Sequence, residues 1–383
     1  MSVEVKTVLL VDDEPANIQI VNSILRDTYK TRIATNGAKA LELASQVPAP
    51  DLILLDVSMP EMDGYEVCSR LKLADHTRDI PVIFLTGQTE IESETKGFAV
   101  GAVDYIHKPF SPAVVQARVH THLVLRGIRE QLASQLQTIQ REMDTARQIQ
   151  MSILPRTIPA IAGLDIAARY IPMTAVAGDF YDFIPIDEKR IGILVADVSG
   201  HGMPAALISS MLKIALGTQT GCASDPARVL AGLNEALYGK FTGHFVTAAY
   251  VLIDTEKQSL RYAGAGHPPL ILRDTAAGAT REFVENGLFL GYFPNATYSA
   301  VELPFKTGDW ILLYTDGIIE TTNVSEEQYG VDRFKDFLES NHDLSAGQFV
   351  DSFLDELSQW SDKASGRESE DDLTLMAIHF QGQ

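Results

Sequence analysis

Four apolar runs in this chain stop at an aspartate and then turn. The first two, VLLVDDE and LILLDVSMP, carry Asp12, Asp13, Glu14 and Asp56; the later pair, ILVADVSGHG and WILLYTDG, carry Asp197 and Asp316. A short unbroken apolar run reads as a buried strand, so each acid is expected at a strand end where a sheet opens to solvent. Carboxylates gathered there repel one another, by about 3 kcal/mol for two charges ~5 Å apart at an effective dielectric near 20. A divalent cation removes that penalty. The pattern predicts two magnesium-type acid clusters in series, and magnesium among carboxylates usually accompanies phosphate chemistry.

A chain of 383 residues exceeds the usual size of a single core, so at least two domains and a connection are expected. The net charge of -20 would repel a phosphate backbone or an anionic lipid surface, which argues against nucleic acid and membrane as partners. Cys68 and Cys222 are the only cysteines and lie far apart in sequence, giving no metal-thiolate pattern. No apolar run approaches ~18 residues and no basic leader precedes the first strand, so a cytoplasmic location is expected.

Three textures follow one another. Over 1–125, strand-like KTVLLVD, KTRIAT, PDLILLD, PVIFLTG and AVDYIHK alternate with helix-like stretches such as ANIQIVNSILRD. That alternation predicts an α/β doubly wound five-stranded parallel sheet whose functional groups sit at the strands' carboxyl ends. Asp12, Asp13, Asp56, Thr86 and Lys108 all fall there. From Pro112 the sequence turns helical without a break as far as LPRTIP at Leu154–Pro159. Leu125, Leu132, Leu136, Ile139, Met143, Ala146 and Ile153 keep three-and-four spacing, with polar Arg129 and Gln150 at two seam positions. The part from 126 to 155 therefore reads as a helical linker, either packed along its own domains or paired as a coiled coil in a homodimer. Over 156–383 many strand-like segments are broken by helical pairs near 203–240 and 332–360, which predicts an α+β layered antiparallel sandwich with flanking helices.

The first cluster, Asp12, Asp13, Asp56, Thr86 and Lys108 followed by Pro109, resembles CheY-like response-regulator receivers over roughly residues 5 to 125. The resemblance implies that Asp56 accepts a phosphoryl group from a sensor histidine kinase, a phosphotransfer protein or a small phosphodonor. It implies Mg²⁺ held by Asp13, Asp56 and the carbonyl of Ser58, with help from Asp12. Lys108 would pair with the phosphoryl oxygens, aimed by a cis bond before Pro109, and Thr86 and Tyr105 would relay the new charge.

The second cluster comprises Asp179 in AGDFYDF, Asp197 in ADVSGHG, Asp316 in LLYTDG, and Asp371 with Asp372 in EDDLT. At these motifs the chain resembles the metal-dependent PPM phosphatases, more narrowly the SpoIIE-type branch that acts on phosphoserine and phosphothreonine. FVTAAY, AGAGHPPL and NGLFLG sit where that branch has similar strings. The resemblance implies two Mg²⁺ or Mn²⁺ ions bridged by Asp197, with Asp316 and Asp371 completing one shell and Asp179 and the carbonyl of Val198 the other. Asp372 is the alternative to Asp371. Two such ions acidify a shared water for in-line attack on phosphorus, so Asp197 and Asp316 rank as catalytic alongside Asp56, Lys108 and Thr86. His201 and His267 lie in Gly- or Pro-flanked loops, where histidine more often bonds the backbone than takes part in catalysis.

The resemblance further implies a phosphorylated anti-sigma-factor antagonist as substrate, and receiver phosphorylation that acts on the phosphatase through the linker helix. The competing reading is an adaptor that binds an anti-sigma or sigma factor without hydrolysis. Retention of acids at 179, 197, 316 and 371 favours the enzyme.

Overall fold

The computed structural model describes residues 5–87, 91–173, 176–284, 286–361 and 371–382, with side chains undescribed at 91–94 and 286. The chain divides into two compact units between Ile139 and Gln140.

In the first unit β1 (Thr7–Val11), α1 (Pro15–Leu25), β2 (Lys30–Ala34), α2 (Gly37–Ala44), β3 (Leu52–Asp56), α3 (Gly64–Leu73), β4 (Val82–Thr86), α4 (Ile91–Ala99) and β5 (Asp104–His107) alternate, and α5 (Pro112–Ile153) follows. The five strands pair in parallel in the order β2-β1-β3-β4-β5. Strand side chains alternate between faces, and here both faces are apolar. Leu9, Val11, Ile53, Leu55 and Phe84 pack with Ala40 of α2 and Val67 of α3. Val8, Leu10, Leu54 and Ile83 pack on the other side with Val21 of α1 and with Val115 and Val119 of α5. Each such aliphatic side chain contributes roughly 1.5–3 kcal/mol on burial. Chain order reverses at β1, which lies between β2 and β3, so a crevice opens beside the ends of β1 and β3 that carry Asp12 and Asp56.

Helix α5 runs for 42 residues. Its seam is not uniform. Leu125, Leu132, Leu136 and Ile139 are 49–58% exposed, whereas Gln150, read in the sequence as a polar seam position, is 5% exposed.

The second unit begins within α5 and continues through β6 (Leu164–Ile171), β7 (Phe180–Pro185), β8 (Arg190–Val198), α6 (Met203–Gly217), α7 (Pro226–Leu237), β9 (Val246–Asp254), β10 (Ser259–Ala265), β11 (Leu270–Asp274), β12 (Ala279–Phe283), β13 (Asn286–Gly287), β14 (Val301–Pro304), β15 (Trp310–Tyr314), α8 (Gly317–Glu320), α9 (Gly330–Asn341), α10 (Ala346–Trp360) and β16 (Leu373–Phe380). One sheet runs β13-β10-β9-β8-β7 with β14 on β10, the other β12-β11-β15-β16-β6. The pairing is antiparallel apart from β10 with β13. Ile193, Val195, Val251 and Tyr262 of one sheet face Leu272, Ile311, Met376 and Ile378 of the other. The outer faces are covered by α6 and α7, through Ile208, Leu212 and Leu233, and by α9 and α10, through Phe334, Phe349 and Phe353. The result is the layered sandwich with flanking helices expected from the pattern. Beside the strand-like segments LDIAARYIP, DFYDFIPI, RIGILVAD, FVTAAYVLID, SLRYAGAG, DWILLYTD and LTLMAIHF, the sheets contain β11, β12, β13 and β14. The prolines of GHPPL stop just before β11 begins at Leu270, which hides its start in the sequence.

Candidate functional site

In the first unit Asp12, Asp13 and Asp56 bring one carboxylate oxygen each within 4.8 Å of one another. Asp12 and Asp56 are 1% and 4% exposed. The Lys108 ammonium joins them, its Nζ 3.0 Å from Asp12 Oδ2 and 2.9 Å from Asp56 Oδ1. The other Asp12 oxygen accepts from the Glu14 N–H at 2.8 Å and Asn17 Nδ2 at 3.1 Å. Burial raises the Asp56 pKa, and Asp12 and Asp13 add to the rise while Lys108 opposes it. Burial alone would lower the Lys108 pKa, but its bonds to Asp56 and Asp12 outweigh that and raise it.

Gly64 opens α3 against the Asp56 backbone: a Cβ there would stand 2.2 Å from the Asp56 carbonyl oxygen, so no other residue fits. Ser58 is exposed in the β3–α3 loop, and Thr86 ends β4, 5% exposed. The Lys108–Pro109 peptide is cis. Tyr105 is 5% exposed, packed 5.9 Å from Phe84 and 5.1 Å from Phe98 between ring centroids.

In the second unit the acids come from the ends of both sheets: Asp197 from β8, Asp179 from just before β7, Asp316 from between β15 and α8, and Asp371 and Asp372 from just before β16. Asp179 is buried, and its Oδ2 accepts from Thr315 Oγ1 at 2.7 Å and Thr374 Oγ1 at 2.6 Å. Burial drives its pKa well upward and the neighbouring Asp197 drives it further. Asp197 shares a side-chain hydrogen bond with Asp179, and its pKa is pushed up to about 7 by burial and then by Asp316, Asp371 and Asp372. The Asp316 pKa is raised by burial, Asp371 and Glu320. These acids therefore share one electrostatic neighbourhood. Among the described residues they do not draw together as three oxygens within 4.8 Å, as the first-unit triad does. A site for two ions ~3.5–4 Å apart does not need such closure, because acids on opposite flanks serve different ions.

The two acids of the EDDLT motif have different surroundings. Asp372 is 4% exposed and accepts from the Met173 N–H at 2.7 Å and the Gly178 N–H at 2.6 Å, tying those two residues to the start of β16. Asp371 is exposed and lies near Asp316 and Asp197. Glycines set the close approaches. A Cβ on Gly178 would stand 2.7 Å from the Val198 carbonyl oxygen, and one on Gly317 would stand 2.2 Å from that of Asp372.

The donor set of carboxylates with a nearby backbone carbonyl is hard oxygen throughout, which suits Mg²⁺ or Mn²⁺ and not a soft metal. Three histidines stand in loops or strand ends of the same unit. His267 is buried with Nδ1 2.9 Å from Thr247 Oγ1, and burial lowers its pKa to about 3, so the ring is neutral. His201 is exposed in its loop, and His244 Nδ1 lies 2.7 Å from the Ser199 carbonyl. Asp182 is ion-paired to Lys213 at 2.7 Å.

Sequence reading missed Thr315, Thr374 and Gln150. The two threonines sit inside the YTDG and DDLT motifs, beside the acids that drew attention. Gln150 of α5 clamps the backbone of Ala177: its Nε2 donates to the Ala177 carbonyl at 2.5 Å and to Ser209 Oγ at 3.2 Å, and its Oε1 accepts the Ala177 N–H at 3.0 Å. A buried glutamine at a seam position looks like any other polar interruption until its partners are in view.

Residues 187–381 match the family model described as Stage II sporulation protein E, and residues 8–120 match the response regulator receiver domain. The phosphoserine phosphatase RsbU of Bacillus subtilis is 30% identical over 260 residues, 67% of this chain and 73% of that one. A probable cyclic di-GMP phosphodiesterase of Vibrio cholerae is 45% identical over 137 residues, 36% of this chain, so the chain spans only 31% of that relative's length. Among solved structures, the SiaA-PP2C domain of Pseudomonas aeruginosa shares the fold, with a TM-score of 0.59, 24% identity, and coverage of 65% of this chain and all of that one. With a receiver at residues 8–120 and a matched domain at 187–381, the chain belongs to the SpoIIE family.

Proposed function

We propose that the chain is a response regulator, phosphorylated on Asp56, whose output is removal of phosphate from a serine- or threonine-phosphorylated protein, an anti-sigma-factor antagonist in a partner-switching pathway. The observation that carries this reading is the gathering of Asp179, Asp197, Asp316 and Asp371 in one neighbourhood, where burial and neighbouring carboxylates raise the pKa of Asp179, Asp197 and Asp316. A site built only to bind a protein gains nothing from that repulsion.

Asp197 would bridge two Mg²⁺ or Mn²⁺ ions, with Asp316 and Asp371 on one flank and Asp179 and the Val198 carbonyl on the other. Asp371 is preferred to Asp372, whose two oxygens already accept backbone N–H groups. When bound, the ions supply charge neutralisation for the phosphoryl group and acidify the attacking water. The Thr315 and Thr374 hydroxyls hold the Asp179 carboxylate in one orientation, and Gly178 keeps the Val198 carbonyl uncovered. Water adds to phosphorus as the seryl or threonyl oxygen leaves, giving phosphate and a free hydroxyl. In the receiver, Asp12, Asp13, Asp56 and the Ser58 carbonyl would hold one Mg²⁺, Lys108 would bond the transferred phosphoryl oxygens and Thr86 would read it out. The donor is a sensor histidine kinase or phosphotransfer protein.

The domains run as receiver at 1–125, helical linker at 126–155 and phosphatase at 156–383. Gln150 supports coupling along α5, since it grips Ala177 two residues before Asp179. The exposed Leu132, Leu136 and Ile139 would be covered by the same helix of a second copy in a homodimer. Among the described residues no helix is long and apolar enough to cross a membrane. Manganese-dependent hydrolysis of a phosphoserine peptide should be measurable for the chain and lost in Asp316→Asn. An adaptor would hydrolyse nothing in either form.

A further inference from the structure

At the amino-terminal edge of the receiver sheet, the edge away from Asp56, lies a cleft of about 880 Å³. One wall is formed by the segments leading into β4 and β5 and the last residues of α3, the other by α5 from His122 to Ala133. Four cations, Lys72, Arg78, Arg126 and Arg129, and two acids, Asp79 and Glu130, line it; Arg78 is ion-paired to Asp75 at 2.9 Å, which leaves Lys72 and Arg129 as the cations without an ion pair among the described residues. This is a positive basin in a chain whose net charge is -20.

Backbone carbonyls hold two of these cations in place, and one of the two, Arg126, is also ion-paired to Glu130. Lys72 Nζ donates to the Arg78 and Ile80 carbonyls at 2.8 and 2.7 Å. Arg126 Nη1 donates to the Pro50 and Asp51 carbonyls at 3.1 and 2.8 Å, and its Nε to Glu130 at 2.7 Å. Lys72 keeps one N–H and Arg126 keeps Nη2. Arg129 makes no ion pair among the described residues. Burial lowers the Lys72 pKa; Cys68 and Asp79 oppose the fall, and repulsion from Arg126 and Arg129 adds to it. An anion placed among them relieves that repulsion. The cleft is far larger than inorganic phosphate needs and falls within the ~300–1,000 Å³ of small-molecule sites. Ile80, Val103 and Leu125 give it an apolar wall.

We infer that this cleft is a nucleotide site, with the phosphates between Lys72, Arg126 and Arg129 and the base against Ile80, Val103 and Leu125. A ligand there touches the sheet edge and the first turns of α5 beyond the receiver at once. It is therefore a chemical input to the helix separate from Asp56 and independent of the output assigned above.

The test is titration of the full chain with ATP, GTP, GMP and pyrophosphate in a chelating buffer, so that the carboxylate clusters cannot recruit nucleotide through a metal. Binding is followed by calorimetry and thermal shift. At least one nucleotide should bind, more tightly than pyrophosphate and more weakly as salt rises. Arg129→Glu, on an exposed helix position, should weaken it by about tenfold or more, the worth of one charge-assisted hydrogen bond. Glu130→Gln should tighten it. Absence of binding by every probe, or affinity unchanged in Arg129→Glu with its helical circular dichroism intact, overturns the site. Pyrophosphate binding as tightly as the nucleotides overturns the assignment of the ligand class.

Discussion

The receiver and the phosphatase each gather buried aspartates at strand ends, but they manage the repulsion differently. In the receiver the chain supplies its own counterion, because Lys108 lies within 3.0 Å of both Asp12 and Asp56. In the second unit none of the described ion pairs includes Asp179, Asp197 or Asp316; threonine hydroxyls and a hydrogen bond between carboxyl groups stand there instead. A site that must accept a phosphoryl group and later release it needs a resident cation that can follow the charge. A site that works through bound ions needs its carboxylates left available, and its stability then depends on what solvent provides.

The sharpest way to break this contrast is Asp197→Asn. Removing the acid that would bridge both ions should cut hydrolysis of a phosphoserine protein by roughly a thousandfold or more, while Asp56 still takes up phosphate from a small phosphodonor. Equal loss of both activities would mean that the clusters are not separate. Next in size, Lys108→Ala removes the resident counterion. It should destabilise the receiver by about 2 kcal/mol, below the ~3–5 of a fully buried pair, and Mg²⁺ should restore most of that in urea melts. Comparable in size is Gln150→Ala, which strips partners from the Ala177 N–H and carbonyl. A cost of about 1–3 kcal/mol in the phosphatase unit is expected, together with slower hydrolysis, and an unchanged melting curve would refute the clamp.

The smallest effect is one of pH. Asp179, Asp197, Asp316 and Asp372 all have folded-state pKa values raised by burial above their ordinary value, to about 7 for Asp197. The folded state therefore binds these protons more tightly than the unfolded one. Their contribution to stability is present in full below about pH 4 and is lost as pH climbs through 7. In a chelating buffer the phosphatase unit should melt at lower temperature at pH 8 than at pH 6, and Mn²⁺ should shrink that difference. The receiver, with Lys108 in place, should change less over the same range.

Much of this was legible before any fold was in view, for a local reason. An apolar run followed by an acid and a turn reports strand, strand end and charge in a few consecutive residues, as in LILLD ending at Asp56 and ILVADV carrying Asp197. The length of α5 was equally plain from unbroken three-and-four spacing. What escaped was relational. LTL and YTDG look alike in importance to any other strand residues until Thr315 and Thr374 meet on one oxygen of Asp179, bonds that span 136 and 195 positions. Asp371 and Asp372 are chemically identical neighbours, and only the backbone N–H groups of Met173 and Gly178 separate their roles. Gln150 stands at a polar seam position, and nothing local to it signals its bonds to Ala177 and Ser209.

The order of residues alone determined two layered architectures, the helix between them and the two sets of acids, since period, run length and turn chemistry are properties of neighbouring residues. The tertiary structure decided which acids keep a proton, which carry a cation of their own and which side chains orient them. Desolvation and Coulomb energy depend on distance through space, and the groups that set them here arrive from strands nearly two hundred residues apart.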